Sequence, residues 1–132
     1  MKRMIAAATV VVAATGAVTA SAVTSSKVVP VGLSEYNILP AKQAAPAGKV
    51  TFVLQSSGKV THELVVVKSA KPAGNLLKGK EADEAGAVGE VGELKPGQTK
   101  KLTLTLAKGH YALICNLPGH YKAGQFADFY VR

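Results

Sequence analysis

Apolar and polar residues alternate with a period of two along much of this chain, a pattern that suits strands with one face in a core. Val50, Phe52 and Leu54 alternate with Thr51 and Gln55, and Leu102, Leu104 and Leu106 alternate with Thr103 and Thr105. Successive side chains of a strand point to opposite faces, so each apolar set lines one side of a sheet. Further runs rich in Val, Leu, Ile, Thr and aromatic residues lie at Lys27 to Val31, Leu33 to Leu39, Thr61 to Lys68, Val88 to Leu94, Gly109 to Cys115 and Phe126 to Val131. Turn-forming residues separate them at Pro46-Ala47-Gly48, Ser56-Ser57-Gly58-Lys59, Lys95-Pro96-Gly97-Gln98 and Lys108-Gly109. About eight short strands and no long helical pattern predict an all-β fold, an antiparallel β-sandwich.

Residues 69–87 interrupt the pattern. Pro72, Gly74, Gly79 and Gly86 surround Leu76-Leu77, and a broken helix or irregular loop is expected there. The acidic group Glu81, Asp83 and Glu84 lacks the glycine-centred loop of a calcium site and reads as a solvated charged face.

The first 22 residues have the layout of an export signal. Lys2 and Arg3 precede an apolar run from Met4 to about Val18, and Ala20-Ser21-Ala22 supplies the small-x-small pattern of a cleavage site. A retained anchor is the competing reading, but the run is shorter than the roughly 20 residues a bilayer span needs, and Thr9, Thr15 and Gly16 dilute it. The chain therefore divides into a signal peptide, residues 1–22, and one domain, residues 23–132, exported to a periplasmic or extracellular setting without an integral membrane anchor.

Without Lys2 and Arg3, fourteen basic residues face eight acidic ones. The positive charges are spread singly, with only Lys100-Lys101 adjacent, and have few aromatic neighbours. That distribution argues against nucleic-acid binding and for a general attraction to acidic partners.

Exported domains of this size commonly use cysteine pairs, yet Cys115 stands alone. A lone thiol in an oxidising setting calls for burial, pairing with another chain or a metal. Cys115 opens the stretch Cys-Asn-Leu-Pro-Gly-His-Tyr-Lys-Ala-Gly-Gln, which places His120 five residues later and Gln125 five after that. A soft thiolate and an imidazole on one short loop suit copper or zinc, and not calcium or magnesium. The site needs another histidine, either His62 or His110. His110 lies on the strand that ends at Cys115, on the opposite face from it and roughly 16 Å away along the strand, which makes it a poor partner. His62 opens a strand directly after the Ser57-Gly58 turn, at a sheet end where loops gather. If that end also carries the Cys115 loop, His62, Cys115 and His120 form a trigonal set that Gln125 approaches from above.

The segments Gly109-His110-Tyr111-Ala112-Leu113-Ile114-Cys115, Asn116 to Gln125, and Thr61-His62-Glu63-Leu64-Val65-Val66 resemble the small blue copper proteins of the cupredoxin family. The likeness extends over nearly the whole domain, including Ala47-Gly48-Lys49-Val50-Thr51-Phe52. It implies a Greek-key β-sandwich that binds one type 1 copper. It also assigns His62 as the upstream histidine, Cys115 as the thiolate, His120 as the downstream histidine and Gln125 as the axial ligand, as in stellacyanin-like proteins. The implied activity is single-electron transfer by Cu(II)/Cu(I) cycling, in a monomer that is not an enzyme and meets a redox partner of acidic surface. A module that stores, senses or delivers copper without cycling it is the alternative. Leu117 and Pro118 would rim His120, with Lys122 beside them. Glu63 stands where plastocyanin and azurin carry an asparagine that ties the ligand loops together, which leaves Ser56, Ser57 and Asn116 as candidates for that tie.

Overall fold

The computed structural model of the protein describes Gly16 and residues 27–132; the segment expected to be an export signal lies, apart from Gly16, outside the described residues. In chain order the strands are β1 (Lys27–Ser34), β2 (Asn37–Pro40), β3 (Ala44–Ala45), β4 (Gly48–Ser56), β5 (His62–Lys68), β6 (Leu77–Lys78), β7 (Glu81–Ala82), β8 (Ala87–Leu94), β9 (Thr99–Leu106), β10 (Gly109–Ile114) and β11 (Phe126–Val131). The eight runs anticipated from the alternation all form strands. The remaining three are two-residue pieces, too short to leave a periodic signature. Leu33 to Leu39 is not continuous, because a turn at Glu35 and Tyr36 folds β2 back on β1.

The strands build a sandwich. One sheet has the order β2-β1-β4-β9, the other β3-β11-β10-β5-β8, and β6-β7 form a separate ribbon. Most pairs are antiparallel, but each main sheet also holds one parallel pair, β1 with β4 and β11 with β3. Alternation explains the layer between the sheets. Val29, Val31 and Leu33 of β1 and Val50, Phe52 and Leu54 of β4 face Leu64 and Val66 of β5, Tyr111 and Leu113 of β10, and Phe129 and Val131 of β11. Phe52 and Phe129 meet edge to face at 5.3 Å across this layer, the arrangement that the aromatic quadrupole favours.

β5 and β10 depart from simple alternation, because both their faces are buried. The outward-facing set, Val65, Val67, Ala112 and Ile114, packs under Ala73, Leu76, Ala82 and Tyr121. The irregular segment 69–87 supplies most of that cover. It forms a single turn of 3-10 helix at Ala73–Asn75 followed by the β6-β7 ribbon. Tyr121 fastens it by donating its hydroxyl hydrogen to the Ala73 carbonyl and accepting the Leu76 N–H at 2.9 Å. Burial on both faces accounts for the unbroken apolar runs of these two strands. It also makes them the rigid pair from which functional residues can be hung. Among the described residues no helix is long and apolar enough to cross a membrane.

Phe52 is fully buried in this layer. Phe52→Ala should lower the unfolding free energy of the metal-free protein by about 3–5 kcal/mol, read from urea denaturation; a loss under about 1 kcal/mol would contradict the packing described.

Candidate metal centre

His62 is the first residue of β5, and Cys115 follows directly on β10. These strands pair with Leu113 opposite Val66 and Ile114 opposite Val65, so both residues emerge at one end of the sheet. The chain beyond Cys115 returns to the same place through two local devices. Leu117-Pro118-Gly119-His120 forms a turn closed by the His120 N–H on the Leu117 carbonyl at 3.0 Å, with Gly119 at φ +79°. That is the position where a type II turn requires left-handed backbone, and Pro118 presets the residue before it. A helical turn then runs to Gly124, whose φ of +106° ends it, and the Cys115 N–H donates to the Gln125 carbonyl at 3.1 Å to close the neck of the loop.

Spacing becomes convergence in this way. One ligand atom each from His62, Cys115 and His120 lie within 4.8 Å of one another. Cys115 Sγ is 3.4 Å from His120 Nδ1, and the Gln125 Oε1 is 3.1 Å from the Nδ1 of both histidines. Hydrogen bonds set the orientation of the Gln125 amide. Its Nε2 donates to the carbonyls of Ser34 at 3.0 Å and Asn37 at 3.2 Å. Nε2 also lies 3.0 Å from His62 Nδ1, so its two hydrogens have three acceptors within reach, while Oε1 faces both histidines. His62, Cys115 and Gln125 are fully buried, whereas His120 is half-buried.

His110 stays apart from the cluster. Its Nδ1 lies 2.6 Å from the Ser69 carbonyl and its Nε2 lies 2.7 Å from Asp128 Oδ1. It lies near the start of β10, the strand that Cys115 follows, and is not one of the three residues whose ligand atoms converge.

Burial sets the acid–base character of the centre. It pushes the Cys115 thiol up, while the N–H groups of Leu117 and Glu63 favour the thiolate and the Glu63 carboxylate opposes it. It also pushes the His120 imidazole down, helped by His62 and countered by Gln125 and Glu35. A neutral His120 keeps a lone pair available, and a metal that takes the thiolate must displace its proton.

Glu63 makes the loop tie itself. Its Oε1 accepts the Asn116 N–H at 3.0 Å, as a longer side chain can from the residue next to His62. Asn116 contributes that backbone group, and its amide side chain instead makes two hydrogen bonds with the backbone of Ala82. Ser56 makes no tie, since its buried Oγ has no partner among the described residues. Burial raises the Glu63 carboxyl, against the pull of the Asn116 N–H, and the nearby Glu84, Glu90 and Glu81 push it the same way.

Sequence reasoning did not reach Glu35, Ser34 and Asn37, which all approach from the β1-β2 turn. Glu35 Oε1 lies 3.2 Å from His62 Nε2. The same oxygen accepts the N–H groups of Lys59 at 2.7 Å and Val60 at 2.8 Å. The Val60 N–H, above all, holds the Glu35 carboxyl down at about 2, against the opposing effect of burial, with Lys59, its own N–H and His62 adding to the pull. Nothing in the local sequence marks a turn residue as a neighbour of a histidine 27 positions on.

A family model described as the cupredoxin-like domain matches residues 4–126. A search of curated proteins finds no match. Among solved structures, the fold is similar to dithionite-reduced auracyanin from Roseiflexus castenholzii at 22% identity and a TM-score of 0.63, over 81% of this chain and 98% of that one. It is similar to auracyanin A, a "blue" copper protein of Chloroflexus aurantiacus, at 24% identity and a TM-score of 0.58, over 80% and 98% of the two chains. Rusticyanin from Thiobacillus ferrooxidans superposes at 18% identity and a TM-score of 0.61, over 82% and 79%.

The tie between the ligand-bearing segments can be tested without metal. Glu63→Ala strips the Asn116 N–H of its acceptor and should cost about 1–3 kcal/mol in urea unfolding, and Glu63→Gln, which keeps an oxygen there, should recover most of it. Equal stability of all three proteins would show that Glu63 ties nothing.

Proposed function

The chain belongs to the cupredoxin-like domain family, and on that premise we propose that it is a type 1 copper protein that carries single electrons between redox partners. The observation that carries this reading is the convergence of His62 Nδ1, Cys115 Sγ, His120 Nδ1 and Gln125 Oε1 at one buried point. A thiolate and two imidazoles with a weaker axial donor form the ligand set of blue copper sites, and structural zinc sites are usually closed by four cysteine or histidine ligands. The residues therefore fit copper: His62, Cys115 and His120 would hold it, with Gln125 Oε1 as a further, weaker donor. Copper held there supplies a one-electron Cu(II)/Cu(I) couple.

The protein's part is to keep its donors still. His62 and Cys115 ride on strands buried on both faces, Gln125 is pinned by two backbone carbonyls, and the loop neck is closed by the Cys115 N–H. Donors held this way need little rearrangement between the two oxidation states. His120 is the ligand nearest solvent. Tyr36 stands edge-on to its ring at 5.1 Å, and the half-buried Leu117 and exposed Pro118 flank it. This apolar rim is where a partner would meet the site, through the small transient contact that electron exchange favours. Lys122, exposed on the same loop, and the surplus of lysines favour a partner of acidic surface.

A carrier, and not an enzyme, is the reading the remaining histidine supports, since His110 is engaged by Ser69 and Asp128. The basic and apolar start of the sequence, ending at Ala20-Ser21-Ala22, supports export and removal of residues 1–22, and the domain is taken to work as a monomer.

Redox titration of the copper-loaded protein should take up one electron per chain and release it on reoxidation. A copper(II) form that resists mild reductants would instead favour storage or delivery of the metal. Gln125→Met replaces an amide oxygen by a softer thioether and should raise the midpoint potential, while an unchanged midpoint would remove Gln125 from the ligand set. His110→Ala should leave the visible spectrum intact, and loss of colour would reinstate His110.

A further inference from the structure

The carboxylate of Glu35 has no place in the ligand set, yet it is held in a built cradle. Oε1 accepts two consecutive backbone N–H groups, from Lys59 and Val60. Gly58 closes the cradle, because a Cβ built there would run into the Glu35 carboxylate. Among the described residues, the one side chain that this carboxylate meets in hydrogen-bond range is His62, at Nε2.

A neutral imidazole carries one hydrogen. For His62 to offer a lone pair at Nδ1, the nitrogen that faces Gln125 Oε1 and the cluster, its hydrogen must sit on Nε2. We infer that Glu35 is a positioning residue for His62: it accepts the Nε2 hydrogen, fixes the ring and its tautomer so that Nδ1 faces the metal, and sets its negative charge behind the ligand. Partners of this kind make a ligating histidine more basic and better oriented. The effect should be directional. Negative charge behind His62 favours copper(II), the more positive state, so Glu35 lowers the reduction potential and tightens copper(II) binding. Gly58 then leaves the room in which the carboxylate lies against the turn. The two histidines divide the work: His62, fully buried and backed by Glu35, is the fixed anchor, while half-buried His120 is the exchanging edge.

This inference rests on the copper reading above. Glu35→Gln keeps the shape and removes the charge. Its copper(II) complex should stay coloured, with a raised midpoint potential and an affinity lowered about 10- to 100-fold in chelator competition. Gly58→Ala, which displaces the carboxylate without deleting it, should move both in the same direction. In the copper-free protein, nitrogen-15 NMR at a pH where the imidazoles are neutral should show His62 protonated at Nε2, with that tautomer losing its dominance in Glu35→Gln. A coloured Glu35→Gln complex with wild-type potential and affinity, or an unchanged tautomer, would overturn the role of Glu35. A wild-type protein that takes no colour from copper(II) would overturn the copper reading instead, and the NMR comparison would still report on Glu35.

Discussion

The pairing of β10 with β5, Ile114 against Val65 and Leu113 against Val66, is the contact on which the candidate metal centre depends. It brings Cys115, at the end of one strand, and His62, at the start of the other, out at the same end of the sheet. Both strands are packed from two sides, by the layer between the sheets and by the segment 69–87 held down through Tyr121. A shift of one residue in this register would turn each buried set to the opposite face. The fold therefore fixes the distance between these two candidate ligands without help from a metal.

The rest of the site is a matter of bringing loops to that point and stopping them from moving. Pro118-Gly119 and Gly124 turn the chain so that His120 and Gln125 return to Cys115. Glu63 then ties Asn116 to the strand that carries His62, and Ser34 and Asn37 hold the Gln125 amide with its oxygen inward. These are hydrogen bonds from ordered backbone to single side chains, and they cross between segments distant in sequence. Their common effect is to fix the Gln125 amide and the start of the Cys115 loop, while His120 stays partly open to solvent.

Much of this was legible in the sequence because its signals are local. Strands such as Val50-Thr51-Phe52-Val53-Leu54 announce their buried face by alternation, and the Cys115–Gln125 loop carries its turn residues and its candidate ligands together. His62 could be preferred over His110 because strand geometry acts on neighbours. What remained hidden is non-local. The parallel pairing of β1 with β4 leaves no trace in either strand, and two-residue strands such as Ala44–Ala45 have no period to show. The run from Leu33 to Leu39 reads as continuous strand, yet it turns at Glu35 and Tyr36, and that turn delivers the three groups that buttress His62 and Gln125. Glu63 was visible as a departure from the family pattern, but its carboxylate reach to Asn116 belongs to the folded backbone alone.

The claim that His62, Cys115 and His120 form a type 1 copper site is tested most directly by the visible and electron-paramagnetic-resonance spectra of the protein loaded with copper(II). An intense thiolate-to-copper charge-transfer band, absent from Cys115→Ala, is the predicted result. A colourless complex, or a band that survives loss of the Cys115 thiol, would contradict it.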